Sequence, residues 1–266
     1  MLALGLTLVW GVMKVVNIAH GDFVLVGAYT SYWLYVLAGL NPILSLLLTI
    51  PLGFGLGGLT YLVLIRRVQN SPELMSLLLT FGLSTLIGGL LLFLYSPTQR
   101  SVPFFVSGFQ TLGTSIPGNV SIAAVYSVGV AVALWLFVTR TFWGKAIRAV
   151  VQDRRSALLV GINPDTVGLL SFAIGIAIAS SVGSLVLLLQ SVTPESAGAF
   201  TLIAFVIVVL GGLGSPPGAL VGGVIIGVVD SLSSLWLNAA LTPAIGFIIL
   251  LVVLVVRPRG IMGSRL

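Results

Sequence analysis

Few residues in this 266-residue chain can do chemistry, and their types exclude more than they offer. Cysteine is absent, which removes a disulfide scaffold, a thiol nucleophile and thiolate metal ligands. One histidine is too few for a His-built metal site. The phosphate loop that ends in Gly-Lys-Ser/Thr is also missing, because Gly144-Lys145 lacks the preceding glycine at the required spacing. Gly211–Gly214 is followed by Pro216-Pro217 and lies between apolar runs with no strand, so a dinucleotide site is unsupported. Neither a nucleophile elbow nor a zinc-protease motif nor paired aspartates occur, which leaves an intramembrane enzyme without machinery.

Three polar features remain. Asn17-Ile18-Ala19-His20-Gly21-Asp22 puts three polar side chains within six residues beside an apolar run. Such groups face protein or a water-filled cavity, because lipid cannot satisfy them. They either line a translocation path or gate, with Gly21 relaxing the backbone, or satisfy a broken helix end. Asp230, followed by Ser231, Ser233 and Ser234, sits in the apolar run 219–237. It suits proton coupling in a stand-alone carrier, or packing against serine or asparagine near a helix end, and the second is favoured. The third feature is the stretch from Gly144 to Asp165. Ile147, Val150, Val151, Leu158 and Gly161 recur at three- and four-residue steps, while Lys145, Arg148, Gln152 and Arg155 take other faces. That spacing predicts an amphipathic helix over 144–161, with Asn163-Pro164 as cap and first turn of the next helix. It lies on anionic lipid or docks on a soluble partner.

The elements that position these residues follow from composition. The chain is 58% hydrophobic and 7% charged with a mean hydropathy of +1.20, against about 25% charged in soluble domains. Apolar blocks of about twenty residues match helices that cross a hydrocarbon core, and the alternation a barrel requires is absent. The net charge of +6 does not point to nucleic acid. Ten of the twelve basic residues form three clusters: Arg66 and Arg67; Arg140, Lys145, Arg148, Arg154 and Arg155; Arg257, Arg259 and Arg265. Clusters in alternate loops face the cytoplasm.

Membrane spans are predicted near 23–39, 43–65, 74–95, 120–139 and 168–190, with three more within 199–256 separated by turns at 211–218 and 238–243. The polar segment 96–119 and the turn 191–198 containing Glu195 face outward. Residues 1–16 are short for a crossing, so the chain has nine spans if they cross and eight if 1–22 holds a re-entrant piece. The fold class is an all-α polytopic bundle, one domain over 1–266 with a cytoplasmic loop at 140–167. Glycines inside the spans (among them Gly53, Gly57, Gly82 and Gly222) allow close helix packing.

Four ordered motifs resemble the LivH-type permeases of branched-chain amino-acid ABC transporters. They are Gly5–Asp22 with Gly27-Ala28-Tyr29, the segment from Gly144 to Asn163, Gly211–Ala219, and Arg257–Gly263. The resemblance covers essentially the whole chain. It implies a first helix truncated at its N-terminus, since the family begins some twenty residues earlier. It also implies a non-enzymatic subunit of the bacterial inner membrane with a cytoplasmic C-terminus. Its partners would be a second related permease, two ABC ATPase subunits that bind ATP and Mg, and an extracytoplasmic solute-binding protein. No cofactor would reside on this chain. The substrate would be branched-chain or other hydrophobic amino acids, with urea or short amides used by relatives. The implied ATPase-coupling helix comprises Gly144, Lys145, Arg148, Ala149, Gln152, Asp153, Arg154, Ala157, Leu158, Gly161, Ile162 and Asn163. On this reading, charge reversal at Arg148 or Arg154 is expected to stop ATPase recruitment and transport without affecting membrane insertion.

Overall fold

A chain this apolar must pair its backbone groups internally, and it does so as helices. The computed structural model describes residues 1–69, 71–111, 114–236, 242–257 and 260–263. The helices are α1 (Leu2–Met13), α2 (His20–Ala38), α3 (Leu46–Val68), α4 (Glu73–Tyr95), α5 (Gly118–Arg140), α6 (Phe142–Gln152), α7 (Arg154–Leu159), α8 (Pro164–Leu189), α9 (Ala197–Gly211), α10 (Pro216–Ser233) and α11 (Thr242–Val256). Helices α3, α4, α5, α8 and α10, and α9 with its preceding 3-10 turn, are long and apolar enough to cross a bilayer. Helix α2 narrowly escapes that class, because His20 and Asp22 open it.

Local chemistry fixes the boundaries. The Asn163 side chain accepts from the Asp165 N–H at 2.9 Å, and Pro164 occupies the first position of α8. The Ser215 side chain does the same for α10 ahead of Pro216-Pro217. Between α9 and α10, Gly212 and Gly214 hold φ of 104° and 79°, a backbone region that side chains with a Cβ avoid. The expected turn at 211–218 is therefore present. The turn expected at 238–243 begins outside the described residues. Arg66 and Arg67, expected in a loop, sit on the last turn of α3, which continues through a π-helical turn at Tyr61–Ile65. The polar segment after α4 contains a short antiparallel hairpin, Phe109–Thr111 with Thr114–Ile116, which no sequence pattern had indicated.

Helix α8 is the axis of the bundle. In its most apolar window 89% of residues are buried, against 11% for α5 and 17% for α4. Its surface is built from small residues, so neighbouring backbones come close. Gly175 meets Gly5 of α1, Gly183 meets Val24 and Ala28 of α2, and Ser180 meets Gly27 of α2. Gly53 and Gly57 of α3 press on Ala177, Ser180, Ala173 and Ile176. The packing role expected for the span glycines thus holds for Gly53 and Gly57, and for Gly222 against α9, whereas a Cβ at Gly82 would meet no neighbouring element within 4 Å.

The N-terminal segment holds the polar break. Helix α1 ends at Lys14, whose φ of 53° and N–H bond to the Trp10 carbonyl close the last turn. Val15–Ala19 then runs without helix, and His20 Nε2 lies 2.9 Å from the carbonyl of Leu2, at the far end of α1. His20 thus lies beside the start of α1, and residues 14–19 form a non-helical break between α1 and α2, buried at Val15, Asn17 and Ala19. Among the described residues six helices are long and apolar enough to cross, and α1 is a shorter apolar helix.

Gly183→Ala would drive a methyl into the backbone of Val24 and Ala28, which cannot yield as a side chain could. It is expected to lower stability by about 1–3 kcal/mol. Gly82→Ala, facing open space, should be neutral or slightly stabilising. Thermal unfolding of the purified protein in detergent distinguishes the two, and equal melting temperatures would contradict α8 as the packing axis.

Candidate functional site

Two places gather the polar residues: a seam inside the bundle and a loop at its basic end.

The seam is built on the non-helical backbone of Val15–Ala19, which ends in a turn at Ile18-Ala19. Non-helical chain inside the bundle needs side-chain partners for its peptide groups. Two threonines from opposite neighbours supply them. Thr80 Oγ1 of α4 accepts from the Ile18 N–H at 3.2 Å and lies 3.0 Å from the Val16 carbonyl. Thr201 Oγ1 of α9 donates to the Ile18 carbonyl at 3.0 Å and accepts from the Gly21 N–H at 2.9 Å. Asp22 sits in the first turn of α2, where an acidic group complements the helix dipole, and accepts from Ser84 Oγ at 2.5 Å. Gly21 is required here, since a Cβ would meet the Ala197 carbonyl and the Thr201 hydroxyl.

Asn17, His20 and Asp22 are all buried. The structure brings these three together with Gly21 in the interior of this chain, with none of them on an open surface. Much of the seam is satisfied as a broken helix start. Its remaining cost is concentrated: Asn17 Oδ1 and Nδ2, His20 Nδ1 and the Tyr29 hydroxyl are buried without a hydrogen-bond partner among the described residues. Sequence reading missed Thr80, Ser84 and Thr201, because threonine and serine in apolar helices carry no signal of which distant segment they meet. Asp230 lies apart, half-buried on α10. Among the described residues no serine hydroxyl donates to its carboxylate; the Ser234 N–H bonds the Asp230 backbone carbonyl at 3.0 Å and the Ser234 hydroxyl the Ser231 carbonyl at 2.8 Å. Asn238, the asparagine available as an alternative partner, lies outside the described residues.

The loop at the basic end differs from the expected single helix over 144–161. Thr141 caps α6 through the Gly144 N–H at 3.0 Å. Asp153 then adopts extended backbone, ends α6 and caps α7 by accepting from the Arg155 N–H at 2.9 Å. Hydrogen bonds from the Ser156 hydroxyl and then the Arg155 N–H hold the Asp153 carboxyl below the usual carboxylate range. It therefore stays ionised at neutral pH as the cap that breaks the helix. Competition from a capping side chain defeated the periodicity.

The break redistributes the faces. Gly144, Ala146, Ile147 and Val150 of α6 are buried, as is Ala157 of α7. Lys145, Arg148, Gln152 and Asp153 are exposed, with Ala149 and Ile162 partly buried. Val151 and Leu158, expected on the inward stripe, are exposed, and Leu159 and Val160 extend that apolar tip with exposures of 88% and 73%. Gly161 forms the turn with a φ of 83° ahead of the Asn163 cap. Arg148 Nη1 donates to the Val138 carbonyl at 2.6 Å, and Arg154 pairs with Asp165 at 3.2 Å. Both arginines singled out from the sequence are thus engaged with their own chain.

A bundle of apolar helices with a buried polar break inside and a basic, apolar-tipped loop at one end is that of a polytopic membrane protein. The chain belongs to the family described as "Branched-chain amino acid transport system / permease component", whose model matches residues 1–256. It is 32% identical to the high-affinity branched-chain amino acid transport system permease protein LivH of Salmonella typhimurium and 31% identical to LivH of Escherichia coli. Each alignment covers 99% of this chain and 90% of the relative. It is 28% identical to BraD of Pseudomonas aeruginosa over 99% of this chain and 91% of that protein. No solved structure matches it.

Thr201→Val keeps the shape of the side chain but leaves the Gly21 N–H and the Ile18 carbonyl unpaired. It is expected to cost about 1–3 kcal/mol for each stranded group, with Thr201→Ser close to wild type. Thermal unfolding of the two variants side by side checks this. If valine is tolerated as well as serine, the threonine clamp does not hold the segment.

Proposed function

We propose that this chain is a transmembrane subunit of an ATP-driven importer of branched-chain or other hydrophobic amino acids in a bacterial inner membrane. The substrate class is that in the names of its relatives LivH and BraD. Residues 1–266 act as one membrane domain, whose loop at 140–167 projects to the cytoplasm. Arg66 joins that loop through Asp165, and Arg67 and Arg257 add positive charge in the other two basic clusters, which supports a cytoplasmic basic end and C-terminus. A second, related permease completes the path, two ABC ATPases bind ATP and Mg, and an extracytoplasmic binding protein delivers the solute at the opposite end.

One observation carries the docking reading. Leu158, Leu159 and Val160 expose a contiguous apolar tip beside Arg155 on two short helices whose other face is buried in the bundle. Apolar anchors rimmed by charge are what a protein partner recognises, and a lone carrier has no use for them. The buried seam, in turn, sits where α1, α2, α4 and α9 meet, which supports a role in the gate for its residues.

Leu159→Asp changes a side chain that is almost fully exposed, so folding and insertion should be intact. Loss of such an anchor is expected to weaken ATPase binding by about 2 kcal/mol, roughly thirty-fold. Affinity purification of the assembled complex, followed by uptake of radiolabelled leucine into vesicles with and without internal ATP, tests the proposal. Recovery of an active homo-oligomer that transports without ATP would overturn it.

A further inference from the structure

We propose that Asp165 is the positioning residue that joins the docking loop to the membrane helices, passing a displacement of α7 to α8 and α3 together. The inference rests on α6–α7 being the ATPase-docking surface, and adds how that surface is tied to the bundle.

Asp165 lies in the first turn of α8, the helix on which α1, α2 and α3 all pack. Its carboxylate is shared by three segments. Oδ1 accepts from Arg154 Nη2, at the start of α7, at 3.2 Å, and from Gln69 Nε2 at 2.8 Å. Oδ2 accepts from Arg66 Nε, on the last turn of α3, at 3.2 Å. The link continues inward, because Gln69 Oε1 accepts from the Tyr61 hydroxyl at 3.0 Å. Tyr61 opens the π-helical turn of α3, is buried, and packs over Gly168 of α8. One carboxylate thus connects the exposed docking tip, through a single residue at each step, to a buried aromatic between the two helices.

The covalent connection is short and tied at separate ends. Between α7 and α8 the chain is only 160–163, with Gly161 at positive φ; the N–H groups of Gly161 and Ile162 bond back to Leu158 and Ala157, while Asn163 caps α8. Arg154–Asp165 is the polar side-chain tie between α7 and α8 among the described residues. Stability does not account for the arrangement, since the paired side chains are 36% and 57% exposed and ion pairs of that kind add little. Charge does the positioning. Arg66 and Arg154 are both drawn to one anion, and with that anion neutralised two like charges are left close together.

The test is transport per ATP hydrolysed, measured in proteoliposomes holding the complete transporter, for Asp165→Asn, Arg154→Gln, Arg66→Gln and the double variant Arg154→Gln/Asp165→Asn. Each single change is expected to lower the ratio about fivefold while the ATPase chains still co-purify, and the double should fall no further than the worse single. A helix-capping role for Asp165 would instead make the two losses multiply, which overturns the proposal, as does an unchanged ratio in Asp165→Asn. Loss of ATPase chains from Asp165→Asn would also overturn it, by making the residue part of the contact. If Asp165→Asn does not accumulate, the exposed Arg66→Gln and Arg154→Gln variants decide alone, and a wild-type ratio in both overturns the joint. Failure of the wild-type chain to recruit ATPases is a separate outcome: it removes the docking role and is read in the wild-type arm.

Discussion

Everything in this bundle depends on how closely backbones can approach α8. Helices in lipid gain little by burying apolar side chains against each other, so association rests on packing and on hydrogen bonds between chains. Along α8, Gly175, Ala177, Ser180 and Gly183 remove the bulk that would hold α1, α2 and α3 away. The same closeness lets small hydroxyls act as bonds between helices. Thr49 meets Ser184 at 3.0 Å, and Ser180 donates to the Phe23 carbonyl at 3.2 Å. Large apolar residues are displaced outward, which is why α4 and α5 present Leu90, Phe93, Val125 and Trp135 on the outside of this subunit.

That tight axis makes room for an irregular unit that lipid would not tolerate. Val15–Val16 and Ile18 make no helical backbone bonds, and Thr80 and Thr201 reach this stretch from two sides. Where the clamps end, the pairing ends too: Asn17 and His20 Nδ1 remain without partners among the described residues. A segment that is held firmly at Ile18 and Gly21 but underpaired at Asn17 stores its cost at one point, close to the start of α2. The outer end of α2 is held differently, by Tyr29 stacked on Tyr95 with ring centroids 4.3 Å apart and by Arg100 over Tyr32.

The architecture was largely legible in the sequence, and the reasons are physical. The apolar runs, the Asn163-Pro164 cap and the Gly-rich turn at 211–218 are local signals, and the structure has helices, a cap and a turn there. Two kinds of feature were not legible. One is competition between local rules: the apolar period ran on through 144–161, but Asp153 offered the backbone a capping bond and split the helix. The other is long-range pairing, where Thr80, Ser84 and Thr201 look like any hydroxyl in an apolar helix. The candidate residues Asn17, His20, Gly21 and Asp22 were therefore found as a group, while the residues that hold them were not. Asp165 was read only as the end of a motif, and its partners Arg66 and Gln69 lie 99 and 96 positions away.

The clamp on Ile18 also bears on the order in which the molecule can be made. Its partner Thr201 lies 183 positions later in the chain, so during synthesis the non-helical backbone enters the membrane long before its second hydroxyl exists. The closing bonds come later still, since Ile261 and Met262 donate to the carbonyls of Leu210 and Gly211 at 2.9 and 3.0 Å. Chains of this size fold through partly ordered intermediates as they leave the ribosome. Here Ile18 must wait, half-satisfied, until α9 has been made, and the bonds that pin the end of α9 form later again.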